Sequence, residues 1–355
     1  MLQGNFMRVG LYGMPCSGKT FILDRIDFLD VYVGSNLLKT KNLNFQHLPE
    51  KEKSQIRKEI AEEMMSHDNF IMDGHYAFGD VTAFTKEEGQ MYDIYLYLYV
   101  NPETLSERMT RSEKNNKFLT FNLHKWQQKE IQELRAWCHL NNKDFYLIDT
   151  PPNYDSNNVE LTLKFLKLIK SGWSCLEFAR KCTNEIIKKS TSKQIKIFDG
   201  DKTITSYDCS TEFLNYHTNI FDGNFYTGWQ FWKQSLDFLK IDKRIELSNI
   251  SFNTNIIDNI DENSFILTSG NPTIWKNISS QLGIECFCGD MMSAETKYFI
   301  VKFLRENGYK VNAWGDSFSD YFMLLEADHG YIVKHKSGQI SKSFGNVDIS
   351  EMTIV

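Results

Sequence analysis

The sequence predicts an α/β protein with two domains, each a parallel sheet flanked by helices. Three observations support this class. Apolar runs typical of strands alternate with helix-like stretches along the whole chain. A glycine-rich loop follows the first apolar run, and a pair of aspartates follows another far downstream. A chain of 355 residues is also long for one domain and comfortable for two.

The elements of the first domain follow in order from local pattern. Residues 7–12 and 92–100 are apolar and β-prone, residues 50–66 form a charged amphipathic stretch, and Pro102 lies near a helix start. Pro151 and Pro152 mark the clearest break in regular secondary structure along the chain. We predict strands at 7–12, 69–72, 92–100 and 145–148, and helices at 18–28, 50–66, from 101, at 121–140 and at 159–189 (one or two).

The break at Pro151 and Pro152 also predicts the domain boundaries. We expect a first domain at 1–152, a helical linker or bridge at 153–193, and a second domain at 194–355. The polar string Lys188-Lys189-Ser190-Thr191-Ser192-Lys193 marks the entrance to that second domain.

Composition excludes several classes of protein. The net charge of −6 gives no global electrostatic case for a nucleic-acid or membrane partner. Seven cysteines without framework spacing favour a reducing compartment. No apolar run is long enough to span a membrane, and the first residues do not resemble a signal peptide. We therefore expect a soluble cytoplasmic protein; its oligomeric state stays open.

The first chemical motif is the loop Gly13-x4-Gly18-Lys19-Thr20, between a predicted strand and a predicted helix. Glycines let backbone N–H groups turn around phosphates, and the helix start adds a partial positive charge. We expect Lys19 to reach the β- and γ-phosphates of ATP and the Thr20 hydroxyl to ligate Mg²⁺. The predicted nucleotide-binding residues of this loop are Gly13, Ser17, Gly18, Lys19 and Thr20.

Further residues could complete that site. Asp73 leaves the strand at 69–72 and could position Mg²⁺ or its water, or could simply cap a turn. His75 could orient a substrate hydroxyl, or could be a packed histidine. Arg108 and Arg111 are three apart and share a helix face, where they could clamp phosphates or form a solvated basic turn.

Over about residues 7–150 this ensemble resembles the adenylate-kinase-like branch of small P-loop kinases. The resemblance implies ATP-dependent phosphoryl transfer, with Lys19 and Asp73 as catalytic residues. It also implies that Arg108 and Arg111 contact the ATP phosphates as lid arginines. The acceptor region would lie within about residues 34–63, where no acceptor code is evident.

The second motif is the pair Asp199 and Asp201 after the apolar run 195–198. Residues two apart in an extended segment project to the same side, so both carboxylates can face one phosphate. One would attack phosphorus, and the other would act as general acid and base. Three further elements follow in order: Ser264–Gly270 with Thr268, a helix start with Lys297, and a strand ending in Asp316 with Asp320 four residues on.

In this order the four elements resemble haloacid-dehalogenase-like phosphatases, over residues 195 to about 335. The resemblance implies that Asp199 is the nucleophile and Asp201 the general acid/base, that Thr268 binds the transferring phosphoryl group, and that Lys297 neutralises the intermediate. It implies Mg²⁺ held through Asp199, Asp201, Asp316 and Asp320, with Asp320 supporting either the metal or Lys297.

One departure from that family is Lys202, which stands where the family usually has glycine. Its side chain would narrow the mouth of the site or offer a positive charge to the substrate. The long connection from Thr203 to Thr268 implies a helical cap at about 206–262, as in phosphoserine-phosphatase-like members, and hence a small substrate.

The sequence thus predicts a bifunctional enzyme: a Mg²⁺- and ATP-dependent kinase of a small acceptor joined to a Mg²⁺-dependent phosphatase of a small phosphorylated metabolite. Two alternatives stay open. One is a polynucleotide kinase–phosphatase that heals nucleic-acid ends, which the acidic charge and the cap do not favour. The other is a phosphatase regulated by a nucleotide-sensing P-loop domain.

Overall fold

The computed structural model describes residues 6–150, 156–241, 247, 249–345 and 347–355. Contacts divide the chain into two compact units, with the boundary between Trp173 and Ser174. Each unit has a fully parallel main sheet with helices, which confirms the predicted fold class. Two helices fill the segment expected to be a bridge, one belonging to each unit.

The first unit is built on a five-stranded sheet of order β2-β3-β1-β6-β7, with a short antiparallel hairpin β4-β5 beside it. Short 3-10 turns occupy Phe45–His47 and Asn116–Thr120. Its elements in chain order are β1 Met7–Tyr12, α1 Lys19–Leu23, β2 Asp30–Val33, α2 Gly34–Lys41, α3 Glu50–Met64, β3 Asn69–Asp73, β4 Ala77–Phe78, β5 Val81–Thr82, α4 Lys86–Met91, β6 Ile94–Val100, α5 Pro102–Thr110, α6 Leu123–Asn141, β7 Asp144–Thr150 and α7 Ser156–Lys170.

Two differences from the sequence expectation lie near the glycine-rich loop. Helix α1 ends at Leu23 instead of continuing to residue 28, because the chain must reach the edge strand β2, which begins at Asp30. Strand β2 itself was not expected. It is exposed on the sheet edge, so it lacks the continuous apolar run that marks a buried parallel strand.

The second unit is built on a six-stranded parallel sheet of order β10-β9-β8-β11-β12-β13. A tight turn of π-helical hydrogen bonding spans Gly200–Ile204, and a 3-10 turn spans Lys342–Phe344. Its elements are α8 Cys175–Lys189, β8 Gln194–Phe198, α9 Cys209–Leu214, α10 Gly228–Phe238, α11 Thr254–Ile257, β9 Ser264–Thr268, α12 Pro272–Leu282, β10 Glu285–Cys288, α13 Ala294–Glu306, β11 Lys310–Gly315, α14 Tyr321–Glu326, β12 His329–Ile332 and β13 Thr353–Ile354.

Burial explains why the central strands of both sheets are so apolar. Residues of β6 and β7 are almost all buried, as expected for parallel strands covered on both faces. In the second unit the core on one side of the sheet joins α8 and α13, through residues such as Ile186 and Phe299. In the part of the chain that the structure describes, no helix has both the length and the apolar character needed to cross a membrane.

Candidate active sites

The glycine-rich loop connects β1 to α1 through backbone conformations that side chains disfavour. Gly13 has φ 149°, Gly18 has φ 97°, and Cys16 has φ 65°. A Cβ on Gly13 would lie 2.8 Å from the Leu98 carbonyl oxygen and 2.9 Å from Ser17 Oγ. Both the dihedral angle and the lack of space therefore require glycine at position 13.

Lys19 lies buried inside this loop. Its Nζ donates hydrogen bonds to the carbonyl oxygens of Gly13 and, at 3.2 Å, of Met14. Burial lowers the pKa of Lys19 to about 8, and the charge of Asp73 partly opposes that shift. An ammonium held by loop carbonyls beside a helix start fits the phosphates of a nucleoside triphosphate, which would be stronger partners for it. Thr20 lies exposed on the first turn of α1.

Asp73 ends β3, which pairs with β1 so that Asp73 lies beside Leu11. The structure thus brings Asp73 to the sheet edge from which the loop leaves. Its Oδ1 accepts a hydrogen bond from the Gly34 N–H at 2.8 Å. That contact fixes the start of α2 and uses one carboxylate oxygen, as the capping alternative requires.

His75 lies near the same loop, with its ring 4.8 Å from that of Phe78. Burial, reinforced by the charges of Lys19 and Lys114, lowers the pKa of His75 well below its ordinary value. The imidazole is therefore neutral at neutral pH. A neutral ring here offers one donor and one acceptor instead of a positive charge.

The structure brings Arg108 to the loop but leaves Arg111 outside. Arg108 Nη1 donates a hydrogen bond to the Cys16 carbonyl oxygen at 3.3 Å. Arg111 follows the last residue of α5 and is exposed. The two arginines are neighbours on the helix, but only the first contacts the phosphate loop.

Two carboxyl groups of this unit, the buried Glu130 and the half-buried Glu88, were not predicted from the sequence. Glu130 on α6 is fully buried and accepts hydrogen bonds from Tyr97 Oη at 2.7 Å and Trp126 Nε1 at 3.0 Å. Glu88 on α4 accepts a hydrogen bond from Tyr12 Oη at 2.6 Å, and burial raises its pKa to about 7. Both lie on amphipathic helices where acidic residues are common, so nothing in the pattern distinguished them.

The second site lies where three neighbouring strands, β9, β8 and β11, end at one edge of the sheet. Such an edge is where open α/β sheets bind ligands. Carboxylate oxygens of Asp199, Asp316 and Asp320 lie within 4.8 Å of one another, all buried. Lys297 Nζ bridges two of them, at 2.6 Å from Asp199 Oδ1 and 2.7 Å from Asp320 Oδ1.

The hydrogen bonds give these acids different roles. Both oxygens of Asp320 are occupied: Oδ1 by Lys297, and Oδ2 by the backbone N–H groups of Asp316 and Ser317 at 3.2 and 3.3 Å. Asp316 Oδ2 lies 2.9 Å from His335 Nε2. No motif pointed to His335, because a lone histidine in a loop carries no sequence signal.

The charges of this cluster are not balanced. Burial, together with Asp320, raises the pKa of Asp199 well above its usual range, while Lys297 opposes the shift. Burial also raises the pKa of Asp316. Although burial acts to lower it, the two aspartates raise the pKa of Lys297, so its ammonium stays charged. Three buried carboxyl groups around one ammonium leave an excess of oxygen donors, which fits a divalent cation such as Mg²⁺.

Asp201 faces a separate environment. Its Oδ1 accepts a hydrogen bond from Cys209 N–H at 2.7 Å, and its Oδ2 from Trp275 Nε1 at 3.3 Å. Burial, reinforced by Asp208, raises the pKa of Asp201 to about 7. Among the described residues, the carboxylate cluster consists of Asp199, Asp316 and Asp320, and the Asp201 side chain is not part of it. The two aspartates of the motif therefore have unlike environments.

Thr268 and Lys202 border the Asp199–Asp201 turn. Thr268 is buried at the end of β9, and its Oγ1 accepts a hydrogen bond from the Gly270 N–H at 3.1 Å. A Cβ on Gly200 would come within 2.7 Å of Thr268 Oγ1, so these groups are tightly packed. Lys202 has φ 58° and ψ 3°, a left-handed conformation in which glycine is unstrained. That conformation explains why a glycine suits the position.

The segment predicted as a cap carries α9, α10 and α11 in its described part. Its aromatic residues include the buried Trp229, Phe231 and Trp232 on α10. Tyr226 precedes that helix, and its backbone carbonyl accepts a hydrogen bond from Ala294 N–H at 3.0 Å. Burial, followed by the charges of Asp316 and Asp320, raises the pKa of Tyr226 to about 12.

Comparison with known families places the first unit. Residues 12–120 match the family model described as "AAA domain". The match includes the phosphate loop, Asp73, Arg108 and Arg111. The N-terminal part of this chain is therefore a P-loop domain, as the sequence predicts. None of the curated proteins matches the chain.

Solved structures give weaker likenesses. Shikimate kinase from Acinetobacter baumannii in complex with shikimate is 17% identical, with a TM-score of 0.36 over 47% of this chain and 95% of that one. Shikimate kinase from Aquifex aeolicus is 19% identical, with a TM-score of 0.31 over 47% and 100%. A HAD family hydrolase from Salmonella enterica serovar Typhi is 13% identical, with a TM-score of 0.29 over 50% and 76%.

Proposed function

We propose that this chain is a bifunctional enzyme. Its N-terminal unit transfers a phosphoryl group from ATP to a small acceptor, and its C-terminal unit hydrolyses a small phosphomonoester. The observation that carries the proposal is the buried bridge of Lys297 between Asp199 and Asp320, beside Asp316. A lysine and three carboxyl groups gathered at the ends of parallel strands are costly to bury and suit phosphoryl transfer.

In the C-terminal reaction, an oxygen of Asp199 attacks phosphorus and forms an aspartyl-phosphate, while the bond from phosphorus to the leaving oxygen breaks. Asp201 gives its proton to that oxygen. It then takes a proton from water, whose oxygen attacks the same phosphorus, releases inorganic phosphate and restores Asp199. A pKa of about 7 suits Asp201 to both steps.

Other residues position the phosphoryl group during these steps. Thr268 Oγ1 offers a hydrogen bond from the end of β9, and Lys297 holds Asp199 while its charge offsets that of the phosphoryl oxygens. Asp199 and Asp316 would hold Mg²⁺. Asp320 would not bind the metal but would hold Lys297 in place, and Asp201 would serve as the general acid and base. The bound cation would supply positive charge that keeps Asp199 ionised.

In the N-terminal reaction, the loop from Gly13 to Gly18 would hold the ATP phosphates through its N–H groups, and Lys19 would pair with the transferred phosphate. Arg108, which contacts the phosphate loop from the end of α5, would neutralise negative charge on the ATP phosphates. Asp73 would orient a metal-bound water or the acceptor hydroxyl. The acceptor oxygen forms a bond to the γ-phosphorus as the bond from that phosphorus to ADP breaks, and the hydroxyl proton passes to the Asp73 carboxylate. The family match at 12–120 and the Lys19 geometry support this part of the proposal.

The test is a turnover screen of the full chain with Mg²⁺. It measures hydrolysis of nucleotides, sugar phosphates and 3′-phosphorylated oligonucleotides, and ATP-dependent labelling of their dephosphorylated forms. We expect Lys19→Ala to abolish labelling but not hydrolysis, and Asp199→Asn to do the reverse. Loss of both activities in either variant would contradict two independent sites.

The same screen separates the alternatives. Preferred action on oligonucleotide ends would identify an end-healing enzyme instead. If no acceptor is ever labelled, but ATP changes hydrolysis and Lys19→Ala removes that response, the first unit is a nucleotide sensor. Hydrolysis of no ester by the wild-type chain would refute the phosphatase proposal.

A further inference from the structure

A cleft of about 400 Å³ opens next to the proposed phosphatase site. Its wall is formed by the turn after Asp201, by the start of α9 and by the loop after β12. Lys202, Tyr207, Glu212, His335 and Lys336 are among the lining residues. The proposed mechanism uses none of these side chains, so the cleft needs a separate explanation.

The cleft lies on the side of Asp201 and Asp316. His335 lines it and contacts Asp316 at 2.9 Å, and the charge of Lys202 interacts with that same aspartate. Lys202 directly follows Asp201, the proposed donor of a proton to the leaving oxygen. A substrate whose phosphoryl group meets Asp199 would therefore direct its leaving group toward this cleft.

Lys202 occupies its position at a conformational cost. Its φ of 58° lies in the left-handed region, where a residue with a Cβ is disfavoured and glycine is not. Strained residues of this kind concentrate at functional sites. Its backbone N–H donates a hydrogen bond to the Tyr207 carbonyl oxygen at 3.1 Å, which holds the backbone of this turn in place.

We infer that Lys202, helped by Lys336, binds an anionic group on the leaving portion of the substrate. The inference rests on the proposed phosphatase function and narrows its substrate class. The preferred esters would be small phosphomonoesters that carry a second phosphate or a carboxylate. The apolar body of the leaving group would lie against the Tyr207 ring, which also lies 5.9 Å from Lys336 Nζ.

The charge pattern of the cleft limits the size of that anion. Asp208 and Glu212 line the cleft together with the lysines, so its walls carry both signs of charge. One oxygen of Asp208 is already used, because it accepts a hydrogen bond from Thr211 N–H at 2.8 Å. A single small anion can pair with the lysines alone, whereas the phosphates of an oligonucleotide would also meet the acids. The cleft therefore favours small bisphosphates and phosphorylated acids.

The experiment compares matched esters on the full chain with Mg²⁺. Fructose 1,6-bisphosphate against fructose 6-phosphate tests a second phosphate, and 3-phosphoglycerate against glycerol 3-phosphate tests a carboxylate. A 3′-phosphorylated oligonucleotide tests the polyanion. The measured quantity is the ratio of kcat/KM with and without the second anion, since effects common to both esters cancel.

We expect the wild-type ratio to exceed one in at least one pair, and Lys202→Gln to lower it about tenfold, the usual weight of one charge-assisted hydrogen bond. Lys202→Arg should keep the ratio. Lys202→Gly removes the charge and also relieves the strain of the left-handed backbone. A lowered ratio in this variant would therefore not be caused by misfolding. Lys336→Ala should lower the ratio less. Lys334→Ala, an exposed lysine two residues away that does not line the cleft, should not change it.

An unchanged ratio in Lys202→Gln and Lys202→Gly would overturn this inference while leaving the phosphatase proposal standing. A wild-type ratio of one or below in both pairs, or better hydrolysis of the oligonucleotide than of every small ester, would overturn it too. Hydrolysis of no ester would instead refute the proposed function itself, and the inference with it.

Discussion

Replacing Lys297 with methionine should both lower the stability of the second unit and slow its phosphatase reaction strongly. Lys297 is 1% exposed and donates to Asp199 and Asp320 at 2.6 and 2.7 Å. Methionine keeps the length of the side chain but leaves buried carboxyl groups without their cation. Removing one partner of a buried ion pair typically costs about 3–5 kcal/mol. For a unit of this size that corresponds to a fall in Tm of roughly 6–20 °C.

The assay is hydrogen exchange of the full chain, because it reports each unit separately. Peptides from β8 and α13 should lose protection, whereas peptides from β1 and β6 should not. Mg²⁺ should reduce the loss of protection if it binds the buried carboxylates that Lys297 no longer neutralises. Lys189→Met is the control: it breaks an ion pair of the same 2.6 Å length with Glu285, but both side chains are about 40% exposed. Exposed pairs contribute about 0–1 kcal/mol.

The kinetic expectation for Lys297→Met is a fall in phosphatase kcat of about 10²–10³, comparable to losing one preorganised donor to a developing charge. ATP-dependent labelling should persist. Unchanged protection of β8 and α13, or retained phosphatase activity in a correctly folded variant, would refute the assignment of Lys297 to the centre of this site. The double variant Lys297→Met with Asp320→Asn should recover part of the stability, since it removes one of the stranded carboxylates.

Two further predictions concern the first unit. Arg108→Ala should lower kcat/KM for ATP about 10- to 100-fold, because Arg108 contacts the phosphate loop. Arg111→Ala, at the exposed end of α5, should have a clearly smaller effect. Equal losses in the two variants, measured by initial-rate labelling, would contradict this difference. Glu88→Gln should stabilise the unit at pH 8 but not at pH 4. Burial raises the Glu88 pKa from 4.5 to about 7, so the folded state binds a proton more tightly than the unfolded state. The free energy of unfolding therefore falls as pH rises between those two values, by about 3 kcal/mol in all. The glutamine oxygen can still accept the Tyr12 hydrogen bond, and hydrogen exchange of α4 peptides against pH would show the wild-type slope disappear. The same slope in wild type and Glu88→Gln would mean that another group causes it.

The phosphate loop and the central strands could be predicted from the sequence, because residues close together in the chain determine both. A glycine loop between strand and helix fixes its own backbone, as the φ values at Gly13 and Gly18 show. Parallel strands buried on both faces read as apolar runs, so β1, β6 and β7 were placed within two residues. The exposed edge strand β2 and the early end of α1 were missed, because neighbouring strands and the path of the chain decide them.

The sequence by itself determined two α/β domains, the phosphate loop and the order of the four motifs of the second site, of which two carry aspartates, one Thr268 and one Lys297. Each of these features depends on residues close together in the chain. Only the tertiary structure decided how those motifs meet. Lys297 reaches Asp199 across 98 positions, and His335 reaches Asp316 across 19. The separation of Asp201 from the carboxylate cluster, the burial of Glu130 and the partial burial of Glu88 were decided in the same way. Burial, charge compensation and hydrogen-bond saturation are properties of packed neighbours, and neighbours in space are set by the fold.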